Sequence, residues 1–158
     1  MKRTGRSVLA AGAACALAIL AGNAAAGEGD AVDRILNEAR AACEGFESGT
    51  FAANGAVREI ALDDDDLPDR IVDESRFACS SAQTMYCGTG GCMLHAVIGD
   101  RVWSFQAEGW RMIEWGDRPI LLVARDGAWC GGAGSQLCFE AVVWSFGEML
   151  TVMPRAGQ

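Results

Sequence analysis

Six cysteines, at positions 43, 79, 87, 92, 130 and 138, follow a leader of export type, and this combination constrains the fold more than any other feature of the 158-residue chain. Lys2, Arg3 and Arg6 form a short positive region, Val8 to Leu20 is a run of apolar and small residues, and Ala24 and Ala26 have the spacing a signal peptidase reads. The apolar run is too short to cross a hydrocarbon core of about 30 Å as a helix. The expectation is therefore a Sec-type signal peptide over 1–26, cleavage after Ala26, and a single domain over 27–158 in the periplasm or outside the cell. Cys15 falls inside the leader and lacks the Leu three places earlier that lipidation would need.

An even number of cysteines in an exported chain of this size reads as three disulfides that supplement one modest core. Fifteen pairings are possible for six cysteines. Cys87 and Cys92 bracket GTGG, and Cys130 and Cys138 enclose GGAGSQL, so each pair can close its own loop. This favours 43–79, 87–92 and 130–138, against a rival that joins 79 to 87 and 43 to 92.

Removal of 1–26 leaves ten arginines, no lysine and all 21 acidic residues, a formal charge of −11. Such a chain repels phosphate backbones and anionic lipid, so neither nucleic acid nor a membrane surface is an expected partner. A basic protein or peptide, or a divalent cation, matches the sign.

Residues 30–44 carry Val32, Ile35, Leu36, Ala39 and Cys43 at three- and four-residue steps, the stripe of an amphipathic helix, with Asp30 as its N-cap and Gly45 as its stop. From Val57 onward the pattern is of strands: 57–62, 70–73, 77–80, 84–87, 92–98, 102–106, 110–115, 119–124, 140–146 and 148–152. Gly99-Asp100 reads as a two-residue hairpin turn, and 119–124 is apolar throughout, as expected for a central strand. The expected fold is mainly β (α+β): an N-terminal helix packed on an antiparallel β-meander, as a curved sheet, a sandwich or a small barrel, stapled by disulfides.

Four adjacent carboxylates in the turn Asp63-Asp64-Asp65-Asp66-Leu67-Pro68-Asp69 repel one another unless they are solvated or bind a cation. With the apolar pair Ile71-Val72 following, the turn resembles the calcium loops of FG-GAP and VCBS-type repeats, and the resemblance implies Asp63, Asp65 and Asp69 as ligands of a weakly held Ca²⁺. It covers about a dozen residues and appears once. Ala61 stands where that pattern has its first Asp, and Asp66 where it has a turn Gly. No other cofactor is expected.

Gly88, Thr89, Gly90 and Gly91 form either a structural cystine hairpin or a cradle for an anion, and no Lys-Ser or Lys-Thr follows to make a phosphate loop. Among five tryptophans, Trp129 beside a Gly-rich loop is the best candidate for an exposed binding residue. His95, the only histidine, lies inside a strand on the face opposite Cys92 and Leu94. Ser104 and Asp100 are near it in sequence without an elbow motif. The chain thus reads as a non-enzymatic exported binding module with no catalytic residues, its contacts on the acidic face and the loops 88–91 and 131–137. The alternatives are a calcium-stabilised domain and an envelope hydrolase that uses His95.

Overall fold

The computed structural model describes residues 28–65 and 67–152. The expected signal peptide lies outside the described residues. Helix α1 (Glu28–Gly45) starts before Asp30, which therefore sits within its first turn rather than capping it. The apolar stripe meets the β structure as its spacing predicts, with Ala31, Val32, Ala39 and Cys43 buried.

Among the described residues eleven strands all pair antiparallel: β1 (Phe51–Ala52), β2 (Val57–Ile60), β3 (Asp69–Asp73), β4 (Ala78–Cys79), β5 (Cys87–Gly88), β6 (Gly91–Ile98), β7 (Arg101–Ala107), β8 (Gly109–Trp115), β9 (Arg118–Arg125), β10 (Cys138–Ser145) and β11 (Glu148–Val152). Sheet one holds β2, β3, β6, β5 and β7, sheet two is the meander β8–β9–β10–β11, and β1 pairs with β4 apart from both. The two sheets face one another as open layers, so the small-barrel alternative gives way to a sandwich with one helix on its outer side. Of the expected strand 84–87 only Cys87 is in a strand, β5; Tyr86 instead turns toward the helix and donates its hydroxyl to the Ala39 carbonyl at 2.8 Å.

Sheet one is buried on both sides, which explains the long apolar run of β6. Alternate side chains diverge. Leu94, Ala96 and Ile98 join Ile71, Phe105, Leu121, Val123 and Val142 between the sheets, where Trp103, Trp110 and Trp144 also pack. Val97 joins Val72, Phe77 and the helix on the other side, against an edge-to-face cluster of Phe51, Phe77 and Tyr86. Disulfides join Cys43 to Cys79, Cys87 to Cys92 and Cys130 to Cys138, the favoured pairing, so α1 is covalently tied to β4. Gly49 is required beside the first of these: a Cβ there would stand 2.7 Å from the Cys79 sulfur and 2.8 Å from the Cys43 carbonyl oxygen. Three disulfides in a chain of this size belong to an oxidising, non-cytoplasmic location. No described helix is long and apolar enough to cross a membrane.

The registers sort the loops between two ends. β6 pairs Ile98 with Arg101 and Val97 with Arg70, so the turns 61–68 and 99–100 lie at one end of sheet one. The cross-sheet contact of Arg101, whose guanidinium donates to the Gly147 carbonyl and pairs with Glu148 at 2.8 Å, brings the β10–β11 turn to the same end. The β8–β9 turn at 116–117 joins it, since β10 runs antiparallel to β9 with Val142 opposite Leu121. The GTGG hairpin lies at the far end of β6, about 24 Å away at ~3.4 Å per residue. The 126–137 loop lies with it, beyond the Cys138–Arg125 pair.

Candidate functional site

An open cleft of 540 Å³ is cut into the first of these ends, between the β2–β3 connection and the β8–β9 hairpin. Its floor is apolar, from Ile60, Met112, Ile113 and Pro119, and its walls carry Asp63 and Asp64 on one side and Glu114 and Asp117 on the other. A shallower hollow of 350 Å³ on the far side of the acidic turn is lined by Glu59, Asp65, Leu67 and Pro68. Around this end stand three exposed apolar side chains: Leu67 at 59 %, Trp115 at 77 % and Phe146 at 100 % relative exposure.

The wall at 63–65 is held in place by the sequence itself. Asp69 opens β3, is buried, and accepts the backbone N–H groups of Leu62 at 2.7 Å and Asp63 at 3.2 Å. Burial pushes its carboxyl above the ordinary range; the two N–H groups oppose the shift, and the charges of Asp63 and Asp65 add to it. Asp63 accepts from Asp65 N at 3.1 Å and Asp65 from Leu67 N at 2.8 Å, so two successive Asx turns shape the loop. The structure thus turns Asp69 inward while Asp63 faces the cleft and Asp65 the neighbouring hollow. Among the described residues no three His, Cys, Asp or Glu side chains are grouped to hold one metal ion.

Sequence reasoning missed the second wall, Glu114 and Asp117. Their signal was present: both flank Trp115-Gly116 at a hairpin tip, and Gly116 takes a φ of 62° there. What the sequence could not give was the sandwich, which brings that tip against the acidic turn.

The other expected contacts lie at the opposite end. Gly88 and Thr89 are exposed, but a Cβ on Gly91, whose φ is 93°, would fall 2.1 Å from the Ala107 carbonyl oxygen. Half of the GTGG loop is therefore packed against β7. Trp129 is exposed on one face as expected, and its ring covers the Arg125 guanidinium at 4.9 Å. Arg125 is itself buried, with Phe105 on it at 5.6 Å, bonded to the Glu140 carboxylate and the Gln106 carbonyl. Alternation along β9 turns Arg125 inward with Leu121 and Val123.

His95 lies on the helix side of sheet one, on the face predicted. Its Nδ1 is 2.8 Å from Ser104 Oγ and its Nε2 is 3.0 Å from Glu74 Oε1. The register that places Ser104 directly opposite His95 makes the first contact. Glu74 comes from a short 3-10 turn (Glu74–Arg76) that Asp73 caps by accepting from Ser75 N, and Asp73 also accepts Trp110 Nε1 at 2.9 Å across the sheets. A hydroxyl, an imidazole and a carboxylate in series are the parts of an activated nucleophile. Asp100, the other acid considered near His95, sits instead in the β6–β7 turn. Ser104 and His95 lie outside both clefts of the acidic end.

No known family model, curated protein or solved structure matches this chain.

Proposed function

We propose that the chain is an exported, non-enzymatic binding module of the periplasm or extracellular space, delivered by a Sec-type signal peptide, and that its acidic end receives a basic segment of a protein partner. The single observation that carries this reading is the cleft, with carboxylates on two walls and an apolar floor. Arginine and lysine side chains combine a cation with an apolar stem, and both parts would be met there. Exposed Trp115 and Phe146 beside the charges supply the apolar anchors that concentrate binding energy in interfaces. Phe146 adds a further reason: it holds a φ of 53° at full exposure, a costly conformation for a bulky side chain with no contact inside the fold to maintain it.

The test is a fluorescence-anisotropy titration with a labelled tetra-arginine peptide and a tetra-glutamate control. The expected result is saturable binding of the basic probe alone, weakening with salt and lost in Asp63→Asn/Asp64→Asn/Glu114→Gln/Asp117→Asn. Equal binding by that variant would end the proposal.

The Ser104–His95–Glu74 series favours a second reading, an envelope hydrolase in which His95 takes the Ser104 proton and Glu74 orients the ring. Labelling by a fluorophosphonate probe that disappears in Ser104→Ala and His95→Gln supports it; absence of labelling in the wild type removes it.

A further inference from the structure

One register gives Ser104 both its contact with His95 and an unpaired main chain. The two-residue turn Gly99-Asp100 closes on Ile98 and Arg101, so that pair exchanges hydrogen bonds, and every second pair along β6 and β7 does the same. His95 and Ser104 fall between, at a pair whose side chains come closest and whose N–H and C=O groups point away from each other. The main-chain groups of Val102, Ser104 and Gln106 therefore leave the sheet at its edge, since β7 pairs with β6 alone. Two bonds agree with this phase. Asp73 N donates to Ala56 O at 2.9 Å on the far side of β3, and the outward Gln106 carbonyl is taken by the Arg125 guanidinium. Among the described residues nothing takes the N–H and C=O of Val102 and Ser104. Open edges are commonly blunted by charge, proline or short length. β7 is seven residues long and carries neither charge nor proline after Arg101.

We propose that the substrate of the Ser104–His95–Glu74 series is an extended peptide that pairs antiparallel with the open edge of β7, and that the Ser104 N–H is the oxyanion donor. The assignment rests on the hydrolase reading of that series. A substrate residue opposite Ser104 donates its own N–H to the Ser104 carbonyl, and its acyl oxygen accepts the Ser104 N–H. The acyl carbon is thereby held beside the Oγ of the same serine, as where a nucleophilic serine's own N–H binds the oxyanion. The residue two places earlier in the substrate lies opposite Gln106, whose N–H also points outward. Ser104 is exposed and lines neither cleft, so main-chain pairing rather than a side-chain pocket supplies the recognition, and small residues such as alanine fit. With Nε2–H donated to Glu74, His95 Nδ1 is free to accept the Ser104 proton as Oγ bonds the acyl carbon. The carbonyl pair becomes the oxyanion and returns as the bond to the leaving group breaks, and that group takes the proton from His95. Water, deprotonated by His95, then cleaves the acyl-serine and frees the peptide acid.

The test compares thiobenzyl acetate with the thiobenzyl ester of acetyl-trialanine, and with two copies of that ester N-methylated at the last or at the middle alanine. Fluorophosphonate labelling of Ser104 is measured alongside. The expected kcat/KM for the peptide ester is about a hundredfold or more above the acetate, with both activities absent in Ser104→Ala. Methylation of the last alanine removes the donor to the Ser104 carbonyl and should lower kcat/KM by about tenfold. Methylation of the middle alanine falls on an N–H that points away from the edge and should leave the rate within about twofold. Labelled protein that turns over all the esters alike, or loses equally from both methylations, overturns the edge assignment and leaves the hydrolase standing. Absence of labelling removes the hydrolase and this inference with it.

Discussion

The carboxylate of Asp69, buried at the first position of β3, accepts the backbone N–H of Leu62 at 2.7 Å, and so fixes the point from which the acidic turn departs. Asp69→Ala leaves the N–H groups of Leu62 and Asp63 without an acceptor and is expected to cost about 2–3 kcal/mol. Asp69→Asn keeps an acceptor oxygen and removes a charge that burial and its acidic neighbours disfavour. The folded carboxyl holds its proton more tightly than the unfolded one. The stability it contributes is therefore complete below the ordinary carboxylate range and is lost as pH rises through the raised value. Urea unfolding across this range should show wild type losing ground to Asp69→Asn as pH rises; a constant difference contradicts the assignment.

Phe146 and Gly147 form the two-residue β10–β11 turn with φ values of 53° and 79°, a turn that favours Asn-Gly. Phe146→Asn is expected to raise stability by about 0.5–1 kcal/mol by relieving the left-handed conformation. The same change should weaken binding of the basic probe if Phe146 is an anchor. Thermal melting and anisotropy on one sample separate the two effects.

The ion pair of Arg125 and Glu140 is buried on both sides, between Phe105 and Trp129. Glu140→Leu strands the guanidinium and is expected to cost about 3–5 kcal/mol, whereas Arg125→Met with Glu140→Leu should recover most of that loss. Chemical unfolding of the two variants checks the coupling. An equal loss in both would mean the pair serves shape rather than charge compensation.

The disulfides should rank by the loop each closes. Cys43–Cys79 spans 36 residues and Cys87–Cys92 spans 5. Paired Cys→Ala substitution should cost about 4 kcal/mol for the first and about 2 kcal/mol for the second. Unfolding midpoints that fall in the reverse order would contradict the chain-entropy account.

Much of the fold was legible in local pattern. The stripe Val32–Cys43 marked the helix, Gly99-Asp100 a hairpin, and the two short cysteine spacings their own bridges. Local signals failed where the third dimension decides. Tyr86 reads as a strand residue until the helix offers it a carbonyl. Phe146 reads as the end of a strand, yet Gly147 alone cannot make the two-residue turn. Trp115 reads as one more core tryptophan until the β8–β9 hairpin sets it next to Gly116 at the turn, where it is exposed. At the candidate site only one wall was legible. The acidic run announced itself by charge, whereas Glu114 and Asp117 acquire meaning only when the second sheet folds over the first.

The most direct check of the binding account is a map of amide chemical-shift changes when the tetra-arginine probe is added to isotope-labelled protein. The account predicts shifts concentrated at 61–65 and 112–119, with Phe146 among them. Shifts centred on 88–91 and 129 at the opposite end, or none at saturating probe, would contradict it.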